Sequence, residues 1–221
     1  MNIANVIGQL DFFKALNEEE LLRLISISSL KSYSRDCLLY YEKRESYNLL
    51  FLVKGLAKAY KIDKHENEIF LYYIYPHEMI SELSSLEESH LCSYSNIVFA
   101  EEAQVLSIDY RVFKRDFLDK GLLCLSLANE VIRQARQLQN LVNREFIFDS
   151  VSKVAMMLST ELEMFNRLKR YDVSLMLHIQ PSTLSRVLSR LKRQDIIDIE
   201  RGEVIIVDRE NLEKIYRGYE I

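Results

Sequence analysis

Residues 171–191 read YDVSLMLHIQPSTLSRVLSRL, and this stretch decides the fold class. Its first part predicts a short helix that ends near Leu177, and the sequence HIQ that follows predicts a tight turn. Pro181 then predicts the first position of a second helix, because the missing proline N–H costs nothing there. The apolar side chains of this helix recur on one face, at Leu184, Val187, Leu188 and Leu191. The pattern therefore predicts two helices joined by a tight turn.

The opposite face of the second helix is polar. It carries hydroxyl side chains in the first turns and long cations after them: Ser182, Thr183, Ser185, Arg186, Ser189, Arg190 and Arg193. Short hydroxyl side chains let a backbone approach phosphates, a helix N-terminus attracts phosphate, and one guanidinium can bind both acceptors of a guanine. The pattern predicts a DNA recognition helix, for which an ordinary amphipathic surface helix is the alternative.

The charge distribution favours the first of these interpretations. The whole chain carries a formal net charge of −4. Seven basic residues against the single acid Asp172 nevertheless give the segment 167–193 a charge of +6, which leaves −10 for the remainder. The seven are Arg167, Lys169, Arg170, Arg186, Arg190, Lys192 and Arg193. A local basic patch on an acidic protein is typical of a modest DNA-binding surface, although a solvated helix face has the same composition.

A β-hairpin is predicted after the second helix. Two short apolar runs, residues 196–200 and 203–207, flank Arg201-Gly202, and glycine at the second position of a two-residue turn is a hairpin signal. Asp208 can then cap a last helix over residues 211–217. A hairpin in this place would form a wing that contacts the DNA backbone.

The first half of the chain predicts one helix followed by short strands. Asn17 can cap a helix over residues 17–30, because Glu20 stands three residues later as in a capping box. Three runs rich in tyrosine, phenylalanine and branched side chains follow, at residues 49–53, 57–62 and 69–74. Short strands at this spacing predict an antiparallel barrel or roll.

A long helix is predicted from about Arg111 to Phe146, with a break near Gly121 as an alternative. One side of it repeats at spacings of four and three residues, like the a and d positions of a coiled coil. This seam consists of Cys124, Ala128, Val131, Ala135, Leu138 and Val142. Its alternating small and medium side chains favour a homodimer interface over packing against the same chain. A further helix is predicted from a cap at Asp149 or Ser150 to about Phe165.

Composition places the 221 residues among ordinary globular proteins, with no apolar stretch long enough to span a membrane and no basic start typical of a signal peptide. The three cysteines, Cys37, Cys92 and Cys124, are too few and too scattered for a disulfide framework or a zinc site, which favours a reducing cytoplasm. Because no nucleophile–base pair or paired carboxylates stand out, we expect no enzyme.

From about Phe12 onward the chain resembles the Crp/Fnr superfamily of bacterial transcription regulators. The sequence FLVKG at residues 51–55 is similar to a family strand that ends in a glycine turn, and QPSTLSRVL at residues 180–188 is similar to the family's recognition helix. The resemblance implies an α+β fold with a cyclic-nucleotide-binding-like antiparallel β-roll over residues 1–110, a dimerisation helix over 111–146 and a winged helix-turn-helix over 147–221. It also implies a homodimer with double-stranded DNA and RNA polymerase as partners.

The resemblance locates an effector pocket in the roll, but the residues depart from the cyclic-AMP pattern. Cyclic-AMP binders carry Gly-Glu-Leu in a phosphate-binding loop and Arg-Ser further along. Here Ser81-Glu82-Leu83 and Tyr94-Ser95 stand in these places, so the glycine and the phosphate-binding arginine are missing. On the long helix, Leu138 and Gln139 match positions that contact the base. We predict that cyclic AMP is not the ligand and that the pocket contains Glu82, Leu83, Tyr94, Ser95, Leu138 and Gln139.

Other kinds of sensing stay open. Oxygen-sensing members hold an iron–sulfur cluster through a full set of cysteines, which three scattered cysteines cannot supply. A haem would need an axial histidine, for which His65, His77 and His90 are the candidates. We therefore predict no metal site and identify no cofactor. A small-molecule sensor, of haem or nitric oxide, that acts through protein partners is the alternative function, and ligand-free activity is equally compatible.

The resemblance also implies roles for residues of the recognition helix. Pro181 and Ser182 replace the arginine and glutamate of the cyclic-AMP-responsive members, so the target sequence should differ from theirs. By position, Ser182 and Arg186 are the candidates for base contact. Phosphate or an adjacent base would be contacted by Gln180, Thr183 and Ser185, while Arg190 and Lys192 would add positive charge.

Overall fold

The computed structural model describes residues 2–217, except for the side chains of residues 144 and 145, and these residues form two compact units with their boundary at Arg136 and Gln137. The first unit begins with α1 (Ile3–Gln9), a 3₁₀ turn (Asp11–Phe13) and α2 (Glu18–Ser26). The strands that follow are β1 (Ser28–Tyr33), β2 (Leu38–Tyr40), β3 (Glu45–Ser46), β4 (Asn48–Lys54), β5 (Ala57–Ile62), β6 (Glu68–Ile74), β7 (Leu91–Cys92), β8 (Asn96–Phe99) and β9 (Ala103–Asp109). A short helix α3 (Tyr110–Phe113), a π-helical turn (Lys114–Leu118) and the first half of α4 (Cys124–Phe146) complete the unit.

Antiparallel pairing arranges these strands into a roll. One sheet has the order β1–β9–β4 and another the order β2–β8–β5–β6, while β3 pairs with β7. The long hairpin β5–β6 runs from Ala57 opposite Ile74 to Ile62 opposite Glu68. This topology confirms the predicted antiparallel roll.

Strand β4 is buried on both faces, and each face belongs to a different core. Leu49 and Phe51 pack in a cluster with side chains of α1, α2 and α3. Leu50 and Leu52 pack in a second cluster, inside the roll, with residues of β5, β8 and β9. Burial on both faces explains why residues 49–53 form an unbroken apolar run instead of an alternating one.

Helix α2 is shorter than the sequence predicted. Its capping box is confirmed, because Asn17 Oδ1 accepts from the N–H of Glu20 and Glu20 Oε2 accepts from the N–H of Asn17, both at 2.9 Å. The helix ends at Ser26 rather than at residue 30, since the chain from Ser28 pairs with β9 as strand β1. The hydrogen bonds between β1 and β9 thus determine the conformation after residue 27, although the local sequence pattern favours a helix there.

The connection to the long helix is broken, as one of the two sequence alternatives expected. Gly121 and Leu123 have φ angles of +77° and +62°, and α4 begins only at Cys124. A single helix from Arg111 is therefore wrong, because the left-handed residues turn the chain between the π-helical turn and α4.

The second unit contains the rest of α4 and a compact helical domain with one hairpin. Its elements are α5 (Ser150–Thr160), α6 (Leu162–Arg167), α7 (Arg170–Met176), α8 (Pro181–Arg193), β10 (Ile197–Glu200), β11 (Glu203–Ile206) and α9 (Arg209–Arg217). The helix predicted to reach Phe165 is divided, because Glu161 leaves the helical region with φ −137°. The predicted hairpin and last helix are confirmed, and Asp208 Oδ1 accepts from the N–H of Asn211 at 3.0 Å.

The N-terminus of α5 provides a test of a pH-dependent cap. Asp149 Oδ1 accepts from the N–H of Ser152 at 2.8 Å, and this bond lowers the pKa of Asp149 below its ordinary value. We expect Asp149→Ala to reduce the free energy of unfolding by about 1 kcal/mol near neutral pH. Because the folded-state pKa is depressed, this stabilisation is present above the unfolded-state pKa of about 4 and is lost as the pH falls through the folded-state value.

Urea unfolding of the wild type, Asp149→Ala and Asp149→Asn across that range would measure the effect. The asparagine variant is the matched control, because its amide oxygen still accepts the Ser152 bond but does not titrate. A difference between wild type and Asp149→Ala that stays constant from neutral to acid pH would contradict the titrating cap.

Candidate nucleic-acid interface

The turn between α7 and α8 is tight because one residue adopts a left-handed conformation. His178 has a φ of +50°, and the N–H of Ile179 donates to the carbonyl of Ser174 at 3.0 Å, which closes the end of α7. Pro181 occupies the first turn of α8, as predicted. The turn therefore presents the N-terminus of α8 at the surface of the unit.

Helix α8 buries its apolar face and exposes the face that was predicted to contact DNA. Its buried residues are Leu184, Val187, Leu188 and Leu191. Five of the six predicted DNA contacts are exposed, namely Gln180, Ser182, Ser185, Arg186 and Arg190, and Thr183 is half-buried. The structure thus brings all six together on the side of α8 that faces away from the core of the unit.

Some polar groups of this face already form hydrogen bonds within α8, and others have free donors. Ser185 Oγ donates to the carbonyl of Pro181 at 3.1 Å, and Ser189 Oγ donates to the carbonyl of Ser185 at 2.9 Å. Both hydroxyl oxygens keep acceptor capacity. Among the side chains that the structure describes, the exposed guanidinium of Arg186 has no hydrogen-bond or ion-pair partner, so all its donors are free for a ligand.

Some of the seven basic residues in the predicted patch are already engaged inside the unit, among them Arg170 and Lys192. Arg170 donates to the carbonyls of Phe165 and Gly202 at 3.1 and 2.8 Å, and its guanidinium carbon lies 4.4 Å from the centre of the Phe165 ring. Lys192 Nζ lies 2.6 Å from Asp198 Oδ1. The expected charge of +6 therefore overstates the free positive charge, because a count along the segment omits the acids and carbonyls of the neighbouring hairpin.

The predicted wing is a tight hairpin that α6 holds in place. Arg201 and Gly202 have φ angles of +50° and +90°, as a two-residue turn with both central residues in the left-handed region requires. Asn166 donates to the carbonyl of Val204 at 2.9 Å and accepts from its N–H at 2.8 Å. Asn166 thus continues the strand pairing of β11 from α6.

The wing tip is acidic overall. Glu200, Arg201 and Glu203 are all exposed and together carry a net charge of −1. This charge disfavours close contact with phosphates, so α8 offers the stronger DNA-binding surface. Sequence reasoning missed Asn166, for which the available signal was a polar residue directly after the apolar pair Met164-Phe165.

In the roll, the carboxylate of Glu82 is surrounded by hydrogen-bond donors. Oε2 accepts from the N–H groups of Tyr94 and Ser95 at 2.6 and 3.1 Å. Oε1 accepts from Ser95 Oγ at 2.9 Å and from the hydroxyl of Tyr72 at 3.1 Å. Burial and the charge of Glu82 raise the pKa of Tyr72 well above its ordinary value, so the phenol keeps the proton that it donates.

Three of the six predicted effector-pocket residues therefore come together: Glu82, Tyr94 and Ser95. Leu83 packs instead against the core beside β4 and the N-terminal helices. Leu138 and Gln139 are exposed on α4 within the second unit, and their part in a pocket stays a prediction.

The predicted seam of α4 is uncovered within residues 2–217. All six seam side chains, Cys124, Ala128, Val131, Ala135, Leu138 and Val142, are exposed. The larger ones, Val131, Leu138 and Val142, are 47%, 53% and 50% exposed. The alternative interpretation, in which this seam packs against its own chain, does not agree with these exposures.

The three candidate haem ligands lie in separate turns of the roll. His65 is in the turn between β5 and β6, His77 follows β6 and donates its N–H to the carbonyl of Leu52 at 2.6 Å, and His90 Nε2 lies 3.3 Å from Glu88 Oε2. In the described part of the chain, no three histidine, cysteine, aspartate or glutamate side chains gather as a metal ion would require. Nor does any helix there have the length and apolar character needed to cross a bilayer.

An antiparallel roll, a long helix and a winged helix-turn-helix with an exposed recognition face follow one another along the chain, which is the organisation of a class of DNA-binding transcription regulators. The model of the cyclic nucleotide-binding domain matches residues 30–119, and that of the Crp-like helix-turn-helix domain matches residues 133–215. The chain belongs to the Crp/Fnr family of transcription regulators.

Several solved structures share the fold at low sequence identity. FixK2 from Bradyrhizobium japonicum is 18% identical with a TM-score of 0.70, over 86% of this chain and 97% of that one. A CooA mutant from Carboxydothermus hydrogenoformans is 16% identical with a TM-score of 0.72, over 94% of each chain. CLP of Xanthomonas campestris, described as a c-di-GMP-responsive global regulator, is 14% identical with a TM-score of 0.63, over 86% of this chain and 99% of that one. No curated protein sequence matches the chain.

Proposed function

We propose that the protein is a homodimeric transcription regulator that binds a near-palindromic operator through α8 of each protomer. The half-sites would lie about 34 Å apart, one helical turn of DNA, so that both helices enter the major groove from the same side. The observation that carries the proposal is the exposed face of α8, where Arg186 has no partner among the described side chains. A guanidinium held outward in this way can bind both acceptors of a guanine.

The exposed seam of α4 supports the homodimer. A row of six apolar or small side chains at coiled-coil spacing presents hydrophobic surface to water in a single chain. A second copy of the same helix would cover this surface by a two-fold axis and would supply the second α8. RNA polymerase is the further partner that regulation of transcription implies.

We also propose that cyclic AMP does not control this regulator. At the place where the family resemblance puts a phosphate-binding arginine, the chain has Tyr94, whose neutral side chain is 53% exposed. The nearby donors already serve the negative carboxylate of Glu82, which would repel a phosphate. CLP, a protein of similar fold, is described as responsive to c-di-GMP. This supports the proposal that a regulator of this fold can respond to a signal other than cyclic AMP.

Arg186→Ala tests the recognition helix. We expect the variant to lose about 1–3 kcal/mol of discrimination at one base pair in each half-site, because a bidentate contact to guanine is removed. The operator would first be selected from random duplex DNA with the wild type. Fluorescence anisotropy at constant salt would then give Kd for that operator and for each of its single base-pair variants.

Arg35→Ala is the matched control, since Arg35 is an exposed arginine of the first unit. It should keep the wild-type base preference. The salt dependence of Kd separates the two roles of an arginine, because loss of a phosphate contact lowers its slope by about 1 whereas loss of a base contact changes the preference. An Arg186→Ala variant with unchanged base preference would refute the assigned role, and a wild type that ignores duplex DNA at low salt would refute the function.

A further inference from the structure

We propose that Glu82 is a built-in ligand of the roll, whose carboxylate fills an anion-binding turn formed by residues 93–95. The turn has the chemistry of a site for a small carboxylate or phosphate. In this chain the anion is supplied by a side chain from eleven to thirteen residues earlier. The inference concerns the roll alone and does not depend on DNA binding.

The geometry of the donors is that of an anion site. Two successive backbone N–H groups, of Tyr94 and Ser95, converge on the single oxygen Oε2 of Glu82 at 2.6 and 3.1 Å. Successive N–H groups aimed at one point form the concave nest that binds anions in many proteins. Ser95, which also donates its hydroxyl to Oε1, is only 1% exposed. The Ser95 side of the nest is therefore removed from water, which strengthens its bonds to an anion.

The carboxylate saturates this nest. A carboxylate has about four lone-pair positions, and four donors occupy them: two backbone N–H groups and the hydroxyls of Ser95 and Tyr72. Ser93 Oγ is a fifth neighbour, 3.2 Å from Oε2, but it is only 2.6 Å from the carbonyl of Ser95 and has one proton for both. All these donors are neutral, so a second anion would find neither free donors nor a compensating cation among them.

The segment that ends in Glu82 also carries the contacts of the roll to the first half of α4. The N–H of Met79 lies 3.3 Å from Glu130 Oε1, and Gln134 Nε2 donates to the carbonyl of Ser81 at 3.1 Å. Both contacts belong to the backbone immediately before Glu82. The bonds of Glu82 to residues 94 and 95 therefore anchor one end of the segment on which the first half of α4 packs.

Chemical rescue tests the proposal on the full chain. Glu82→Ala removes the internal anion and leaves the nest open, and we expect calorimetry to show a melting temperature lower by about 5 °C or more, since several bonds to a charged group are lost. Sodium acetate at about 100 mM should raise this temperature by about 2–4 °C relative to sodium chloride of equal ionic strength. The wild type and Glu87→Ala, a neighbouring exposed glutamate, should show no acetate-specific shift.

The proposal is overturned if Glu82→Ala melts like the wild type, if acetate stabilises it no more than chloride does, or if the wild type responds equally. Should the variant fail to fold, the wild type still provides a test. Titration with inorganic phosphate should leave the amide NMR signals of Tyr94 and Ser95 unmoved, and a saturable shift of these signals would show that the nest accepts an external anion. These measurements report on the roll and not on DNA binding. A negative result for Glu82 would therefore not contradict the role of Arg186, and a negative result for Arg186 would not contradict the role of Glu82.

Discussion

Replacement of both Val131 and Leu138 by aspartate is expected to leave the protein monomeric and to weaken operator binding by at least ~100-fold, because a monomer engages one half-site instead of two. The two side chains are 47% and 53% exposed in the single chain and lie seven residues apart on the α4 seam. In a dimer they would meet the same residues of the partner, and the substitutions would place four carboxylates in a buried row. Unpaired charges in an apolar interface cost several kcal/mol each, so four of them would strongly disfavour the dimer.

Light scattering after gel filtration would measure the assembly state. The wild type should elute with twice the chain mass of 26.1 kDa and the variant with that mass itself. Asn129→Asp combined with Asn140→Asp is the matched control, since it adds the same charge to exposed positions of α4 away from the seam. A wild type that is monomeric at the concentrations that saturate the operator, or a Val131/Leu138 variant that stays dimeric, would contradict the seam as the interface.

Gly55→Ala is expected to reduce the free energy of unfolding of the roll by about 3–5 kcal/mol. Gly55 has a φ of +95°, a conformation that disfavours any residue with a Cβ. A Cβ at this position would also lie 2.4 Å from the carbonyl oxygen of Glu102 and 2.9 Å from the Cα of Ala103. Both neighbours are backbone atoms of the turn that leads into β9, so they cannot rotate away as a side chain could.

Substitutions at two other glycines separate the effect of a positive φ angle from the effect of a steric clash with the added Cβ. Gly121 has a φ of +77° but no atom near its hypothetical Cβ, so Gly121→Ala should cost only about 1 kcal/mol. Gly8 lies in α1 with open space around it, and Gly8→Ala should be neutral or stabilise by up to about 1 kcal/mol. Urea unfolding of the three variants would rank them. If Gly55→Ala and Gly121→Ala reduced the free energy of unfolding equally, the backbone at Glu102 would have to move away from the added Cβ without a large energetic cost.

The parts of the fold that depend on short-range pattern could be predicted from the sequence. The start of α8 at Pro181, its buried leucine face and the hairpin turn at Arg201-Gly202 each follow from residues within one or two turns of each other. The capping box at Asn17 is local in the same way. Because such features depend on neighbours along the chain, a single sequence contains the information that determines them.

Features that depend on distant partners could not be predicted in this way. Helix α2 ends early because Ser28 pairs with Ile108 in another strand. Arg170 was counted as a free charge, yet it reaches the carbonyl of Gly202 across the domain. The position of Glu82 was indicated by family resemblance, but nothing in the pattern shows that its carboxylate turns toward residues 93–95 of its own chain.

Strand β4 has a mechanical consequence for the first unit. Leu50 and Leu52 line the inside of the roll, while Leu49 and Phe51, on the same stretch of backbone, support α1 and α2. Closely packed interiors transmit displacement instead of absorbing it, so a shift of β4 toward either side moves the atoms on the other. A displacement inside the roll is therefore passed to the packing of the N-terminal helices through the backbone of β4 itself.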